Sequence, residues 1–230
     1  MTESAGFIHY YLRQIGVVTP LPSAGEPTVD PATSAANELE SLPGLDELAS
    51  EASNCAACAL SEGRSQIVFG VGNPAADIVF IGEAPGRDED IQGEPFVGRA
   101  GKLLDKMLAA LGLDRSSVYI MNVVKCRPPG NRDPKPEEVA ACSRWFDPQW
   151  RAIDPKVVVL LGRVAAHEVL ETDASLASLR GRWHENRGVP VRVTYHPAYL
   201  LRSPGQKRRS WVDLLSVAEK LKGLSGRRPG

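Results

Sequence analysis

ADIVFIGEAPGRDEDIQGEPFVGRAG, residues 76–101, is the stretch whose reading decides the fold. Asp77 to Ile81 is an apolar, β-branched run that stops at Gly82. A loop dense in Gly, Pro and carboxylates follows, and helical periodicity resumes at Leu103. This is a strand feeding a loop at its carboxyl end. In open parallel sheets such loops build ligand sites, because strand ends converge on a crevice into which helix N-termini point their N–H groups. Glu83, Glu89 and Phe96 are thereby placed to meet a ligand.

Working outward, further short β-branched runs bounded by turn signals stand at Val118–Val124, Val157–Leu161 and Val191–Thr194. Helical segments are expected at Gly101–Leu111, Pro136–Ile153, Val164–Leu170 and Gln206–Leu221. In the last of these, Trp211, Leu214, Leu215, Ala218 and Leu221 share a face. Strands alternating with helices imply right-handed crossovers and a parallel sheet covered on both sides. Upstream, residues 1–50 read as a leader with one short helix around Ile8 to Ile15 and a Pro-, Ala-, Ser- and Glu-rich linker over 23–41, too poor in apolar residues to offset the entropy of ordering. Leu42 to Ala52 is a candidate helix leading to Cys55. The working domain is expected over 51–222, with a flexible tail at 223–230.

Composition narrows the function. The chain of 230 residues is 43% hydrophobic, enough for a core, and has no apolar run fit to span a bilayer, so no membrane partner is expected. MTESAGFIHYYLRQ lacks the basic start and clean apolar block of a secretory signal, which points to the cytoplasm. The net charge of −1 divides into −6 for residues 1–50 and +5 for the rest, and a basic body suits a partner with phosphates. The four cysteines, Cys55, Cys58, Cys126 and Cys142, are too few for a disulfide scaffold, and the C-x-x-C pair favours a metal. Tetrahedral zinc and an iron–sulfur cluster both fit that ligand count.

Asn122 falls near the second strand's end, on the rim that Glu83 occupies. Its amide can offer a donor and an acceptor to the edge of a planar ligand, or bond its own backbone in a turn. Phe96, in a loop bent by Pro95, Gly98 and Gly101, can stack on a base or anchor in the core. His196 is held extended by Pro197 and opens HPAYLLR after the fourth strand, where an imidazole can meet a developing negative charge. Arg202, Lys207, Arg208 and Arg209, beside Leu200 and Leu201, suit phosphate contacts with an apolar wedge pressed into a duplex.

GEAPG at Gly82–Gly86, PFVGRAG at Pro95–Gly101, NVVKCRPPGNR at Asn122–Arg132 and HPAYLLR at His196–Arg202, with the four cysteines, resemble the family 4 uracil-DNA glycosylases from about Cys55 to Lys222. The resemblance implies an α/β fold: a three-layer αβα sandwich around a four-stranded parallel sheet. It also implies a [4Fe–4S] cluster on Cys55, Cys58, Cys126 and Cys142, and a uracil pocket in which Phe96 stacks on the base, Asn122 reads its edge and His196 contacts O2. Gly82, Glu83 and Glu89 line that pocket, with Glu83 the favoured carboxylate and Glu89 its competitor. The partner is uracil-containing DNA, single- or double-stranded, met by a nucleoid-associated monomer. A non-catalytic iron–sulfur module that recognises damaged bases is the alternative.

Overall fold

The computed structural model describes residues 44–225. The expected helix at Ile8–Ile15, the linker over 23–41 and the last residues of the tail lie outside the described residues. Among those described, six strands form one sheet: β1 (Val71–Gly72), β2 (Ile78–Gly82), β3 (Tyr119–Asn122), β4 (Val157–Leu161), β5 (Trp183–Asn186) and β6 (Val189–Thr194), ordered β1-β3-β2-β4-β6-β5. The expected sheet of four parallel strands is thereby corrected to a mixed sheet of six. The four strands read from the sequence lie side by side and parallel at its centre, while β1 and β5 pair antiparallel at the two edges.

The missed edges have physical reasons. β1 is two residues long, and β5, Trp-His-Glu-Asn, holds no β-branched residue. The turn joining β5 to β6 is Arg187-Gly188, both at positive φ (54° and 76°), as the commonest two-residue hairpin turn requires. Arg in the place usually taken by Asn or Asp hides that turn.

Nine helices are described: α1 (Leu45–Ser53), α2 (Leu60–Gly63), α3 (Arg87–Gln92), α4 (Arg99–Ala110), α5 (Pro136–Ile153), α6 (Arg163–Leu170), α7 (Leu176–Leu179), α8 (Pro197–Arg202) and α9 (Lys207–Ser225). Residues alternate between the two faces of the sheet. Val79, Ile81, Met121, Val158 and Leu160 point to one side, where α1, α5 and α6 bring Leu48, Ala52, Trp150 and Ala165. Ile78, Phe80, Ile120, Val157 and Val159 point to the other, under Leu104 and Leu108 of α4 and Leu214 and Val217 of α9. Burial on both faces explains why β2 and β4 read as unbroken apolar runs. Each such buried side chain contributes about 1.5–3 kcal/mol of transfer free energy. α1 straddles the expected domain start at residue 51, and its Leu48 belongs to the core.

The face of α9 differs from the expected one. Leu214 is buried but Leu215 is exposed, because the helix turns Ser210 and Asp213 inward. Thr194 Oγ1 lies 2.8 Å from Asp213 Oδ2 and 2.9 Å from Ser210 Oγ, and Asp213 pairs with Arg180 and Arg192. A buried, paired carboxylate overrides a register counted on apolar residues alone. The same contacts tie the end of β6, and so the chain entering His196, to α9.

Candidate active site

The carboxyl ends of the central strands open on a cleft of about 420 Å³. Glu83, Phe96, Asn122 and His196, from four separate segments, all line it. The first of these follows β2 directly. Val123 and Val124 donate their N–H groups to the carbonyls of Gly82 and Glu83 at 3.0 and 3.2 Å, which continues the β2–β3 ladder and sets Glu83 beside Asn122. Burial, then the neighbouring Asp133 carboxylate, push the Glu83 carboxyl up to about 7, with Arg163 opposing them.

Glu89 also lines the cleft, but both of its oxygens are engaged. Oε2 accepts from the Gly86 N–H, and Oε1 from the N–H groups of Val97 and Gly98, each at 3.1 Å. The carboxylate thus caps α3 and staples the GEAPG loop to the PFVGRAG loop. No backbone N–H among the described residues donates to the Glu83 carboxyl.

Phe96 takes φ of 56°, a left-handed conformation unusual for an aromatic residue. Arg115 holds it there. Its guanidinium donates to the Phe96 carbonyl and, at 3.0 Å, to that of Pro95, while Asp105 holds its other edge at 2.8 Å. Gly101 makes this possible, since a Cβ there would stand 1.6 Å from the Phe96 carbonyl oxygen. Gly82 has a parallel duty: a Cβ would meet Asn122 Oδ1 at 2.4 Å and the Phe96 ring at 2.6 Å. That position lets the amide and the aromatic ring share the cleft floor.

Asn122 is 2% exposed, and its Oδ1 has no hydrogen-bond partner among the described residues. A buried acceptor left without a donor costs about 1–3 kcal/mol, which a ligand's N–H could recover. Behind it, Lys125 is fully buried and donates its ammonium to the Asn122 carbonyl at 2.8 Å and to Gln149. Burial pushes Lys125 down to about 8. Nothing in the sequence pattern distinguished this lysine from surface ones, because its cavity is closed by residues far along the chain.

His196 is the N-cap of α8. Its Nδ1 accepts the Ala198 N–H at 3.1 Å, so the ring proton sits on Nε2. Burial, aided by Arg202, pushes its pKa down to about 4, and the imidazole is neutral at physiological pH. Its ring faces Phe96, with centroids 5.5 Å apart.

The next turn brings a correction. Leu200, expected as the exposed wedge, is 1% exposed and sits against α4 with Leu103 and Met107. Pro197 starts a helix, and the helical turn sends Leu200 inward while Tyr199 faces out and lines the cleft. Arg202 lines the same cleft, and Lys207, Arg208 and Arg209 are exposed at the start of α9.

The four cysteines carry free thiols and line one small cavity with Ile67, Trp145 and Arg64. As the side chains stand, no group of three or more His, Cys, Asp or Glu among the described residues is arranged to hold a metal ion. The donors around the sulfurs are those a thiolate needs: Arg64 Nη1 lies 3.2 Å from Cys126 Sγ, and the Lys125 N–H lies 3.3 Å from Cys142 Sγ. Burial pushes the Cys126 thiol up and the Cys142 thiol up to about 11.

Sequence reasoning missed Asp133. It lines the cleft within hydrogen-bonding reach of Glu83, and Arg163 at the start of α6 grips it at 2.5 Å. Its place directly after the NVVKCRPPGNR motif was the available signal.

The Uracil DNA glycosylase superfamily model matches residues 69–215. The type-4 uracil-DNA glycosylase of Archaeoglobus fulgidus is 45% identical over 186 residues, 77% of this chain and 94% of that protein. The type-4 enzyme of Thermotoga maritima is 45% identical over 78% of this chain and 94% of its own length. That of Sulfurisphaera tokodaii is 41% identical over 77% and 85%.

Proposed function

This chain belongs to the type-4 uracil-DNA glycosylases of the uracil DNA glycosylase superfamily, and on that premise we propose that Glu83, Phe96, Asn122 and His196 form its uracil pocket. The reaction is excision of uracil from DNA in repair: the N-glycosidic bond is hydrolysed, uracil is released and an abasic site remains. The observation that carries the pocket assignment is the convergence of those four side chains, from four segments, on a single cleft.

The bond is out of reach inside the base stack, so the nucleotide is flipped first. Phe96 then offers a face for stacking, and the buried Asn122 amide pairs with the polar edge of uracil. As the C1′–N1 bond breaks, positive charge grows on the sugar and negative charge on the base. The ionised Glu83 faces the first and orients the attacking water. The neutral His196 donates from Nε2 to O2 and meets the second without bringing a full charge into a buried site. Gly82 supplies the close floor, and Glu89 holds the two loops in register. Arg202, Lys207, Arg208 and Arg209 meet the phosphates, with Tyr199 rather than Leu200 as the side chain free to press on neighbouring bases.

Cys55, Cys58, Cys126 and Cys142 would hold a [4Fe–4S] cluster, their shared cavity and the N–H donors to sulfur being the support. Through these residues the segment before β1 would be clamped to the loop after β3 and to α5. The pocket is complete within one chain, which supports action as a monomer, and a DNA substrate fits a cytoplasmic, nucleoid-associated location.

The test is an oligonucleotide with a single U, incubated with protein and treated with alkali, against T and C controls. Scission at U alone, lost in Glu83→Gln while DNA affinity persists, is the expected result. Full activity of Glu83→Gln would overturn the assignment of Glu83, and intact U strands with wild-type protein would favour a binding module.

A further inference from the structure

Glu83 shares its cleft with a second carboxylate that acts on it, Asp133. Asp133 reaches it from the loop before α5, across the same cleft, and Arg163 holds Asp133 from α6 at 2.5 Å. The cleft holds other charged groups as well. Glu89 is bound by three backbone N–H groups, Arg132 is paired with Glu138 at 2.8 Å and below, and Arg202 and the neutral His196 stand on α8. Two carboxyl groups within hydrogen-bonding reach do not ionise independently, and the second charge is resisted by the first.

We propose that Asp133 and Arg163 are positioning residues of the active site: Arg163 fixes Asp133, and Asp133 fixes the Glu83 carboxyl and governs when it carries charge. This rests on the reading of Glu83 as the carboxylate that meets the sugar and the water. In the step it serves, the water oxygen forms a bond to C1′. The C1′–N1 bond breaks, its electron pair leaving with uracil, and the water proton passes to the carboxylate pair and then to solvent. Arg163 stands at the outer edge of the pair and holds Asp133 in place, while its charge opposes the effect of Asp133 on Glu83.

The sign of each variant follows. Glu83 works ionised, so the rate rises with pH through about 7 and falls as pH drops below it. Asp133→Asn removes the opposing charge and supplies an amide donor, so Glu83 ionises at lower pH. Arg163→Gln removes the supporting cation, so Glu83 ionises at higher pH. A merely structural role would lower rates at all pH and could not move the two profiles in opposite directions.

The experiment is single-turnover uracil release from a U-containing duplex at saturating enzyme, from pH 5 to 9, for wild type, Asp133→Asn, Asp133→Ser, Arg163→Gln and Glu83→Gln. Relative to its own plateau, Asp133→Asn should gain about tenfold at pH 5.5 and Arg163→Gln should lose about as much. Asp133→Ser should move as Asp133→Asn does, and decides the matter if the asparagine variant fails to fold. Unshifted profiles, or shifts of one sign in both positions, overturn the proposal. Release by Glu83→Gln at the wild-type rate would instead overturn the reading of Glu83, a distinct outcome.

Discussion

At the scale of single residues, the site consists of groups whose ordinary needs are left unmet until a ligand arrives. Asn122 keeps a buried oxygen without a donor, Phe96 is held in a conformation its side chain disfavours, and burial pushes the Glu83 carboxyl up to about 7. Such features concentrate where structure serves binding. For Asn122→Asp, loss of the matched donor and acceptor should cost about 1.5–3 kcal/mol in uracil release, a drop of roughly tenfold to a hundredfold. The protonated or turned carboxyl can accept from an exocyclic amine, so cytosine release should become detectable. Parallel U and C oligonucleotides measure both, and unchanged selectivity would contradict the role of Asn122. Glu83, Phe96, Asn122 and His196 were legible because each follows a strand end or sits in a glycine-bent loop, and strand ends converge by topology alone. Asp133 and Lys125 were not, since their importance lies in what stands across from them.

At the scale of elements, the caps decide where the walls of the cleft stand. α5 begins where Glu138, itself buried, accepts the Lys135 N–H at 2.8 Å and pairs with both nitrogens of Arg132. The hydrogen-bonded guanidinium holds its carboxyl down at about 2, far below the usual 4.5. A depressed carboxyl stabilises the fold above its unfolded pKa and loses that contribution as pH falls through its folded one. Glu138→Gln should therefore lower stability by about 2 kcal/mol at neutral pH, with the difference from wild type shrinking between pH 4.5 and 2. Denaturant melts at pH 7 and pH 2.5 check this, and an equal deficit at both would contradict it. Pro136–Ile153 and Val157–Leu161 were read from the sequence to the residue, because a Pro start and an unbroken apolar run are local signals. The β5–β6 hairpin and the inward turn of Leu200 were not, because one depends on an Arg in a left-handed turn and the other on a helix beginning at Pro197.

At the scale of the whole molecule, a parallel centre with antiparallel edges carries the cleft at one end and the cysteine cavity beside it. The link between them is short: Lys125 donates its backbone N–H to Cys142 and its ammonium to the carbonyl of Asn122. A cluster on the four cysteines would thus steady the wall that bears the Asn122 amide. Cys126→Ala should lose visible absorbance and bound iron and melt at lower temperature; a colourless variant with wild-type stability and activity would contradict the clamp. The charge division of −6 over residues 1–50 and +5 over the rest was plain from the sequence, and the exposed cations at the start of α9 give the positive part a place. The most direct measurement is a crystal structure of Glu83→Gln bound to an oligonucleotide containing one deoxyuridine. The uracil should lie flipped into the cleft, its face on Phe96, its edge against the Asn122 amide and O2 toward His196 Nε2. A uracil still stacked in the DNA, or seated in another cavity away from these four side chains, would contradict the account.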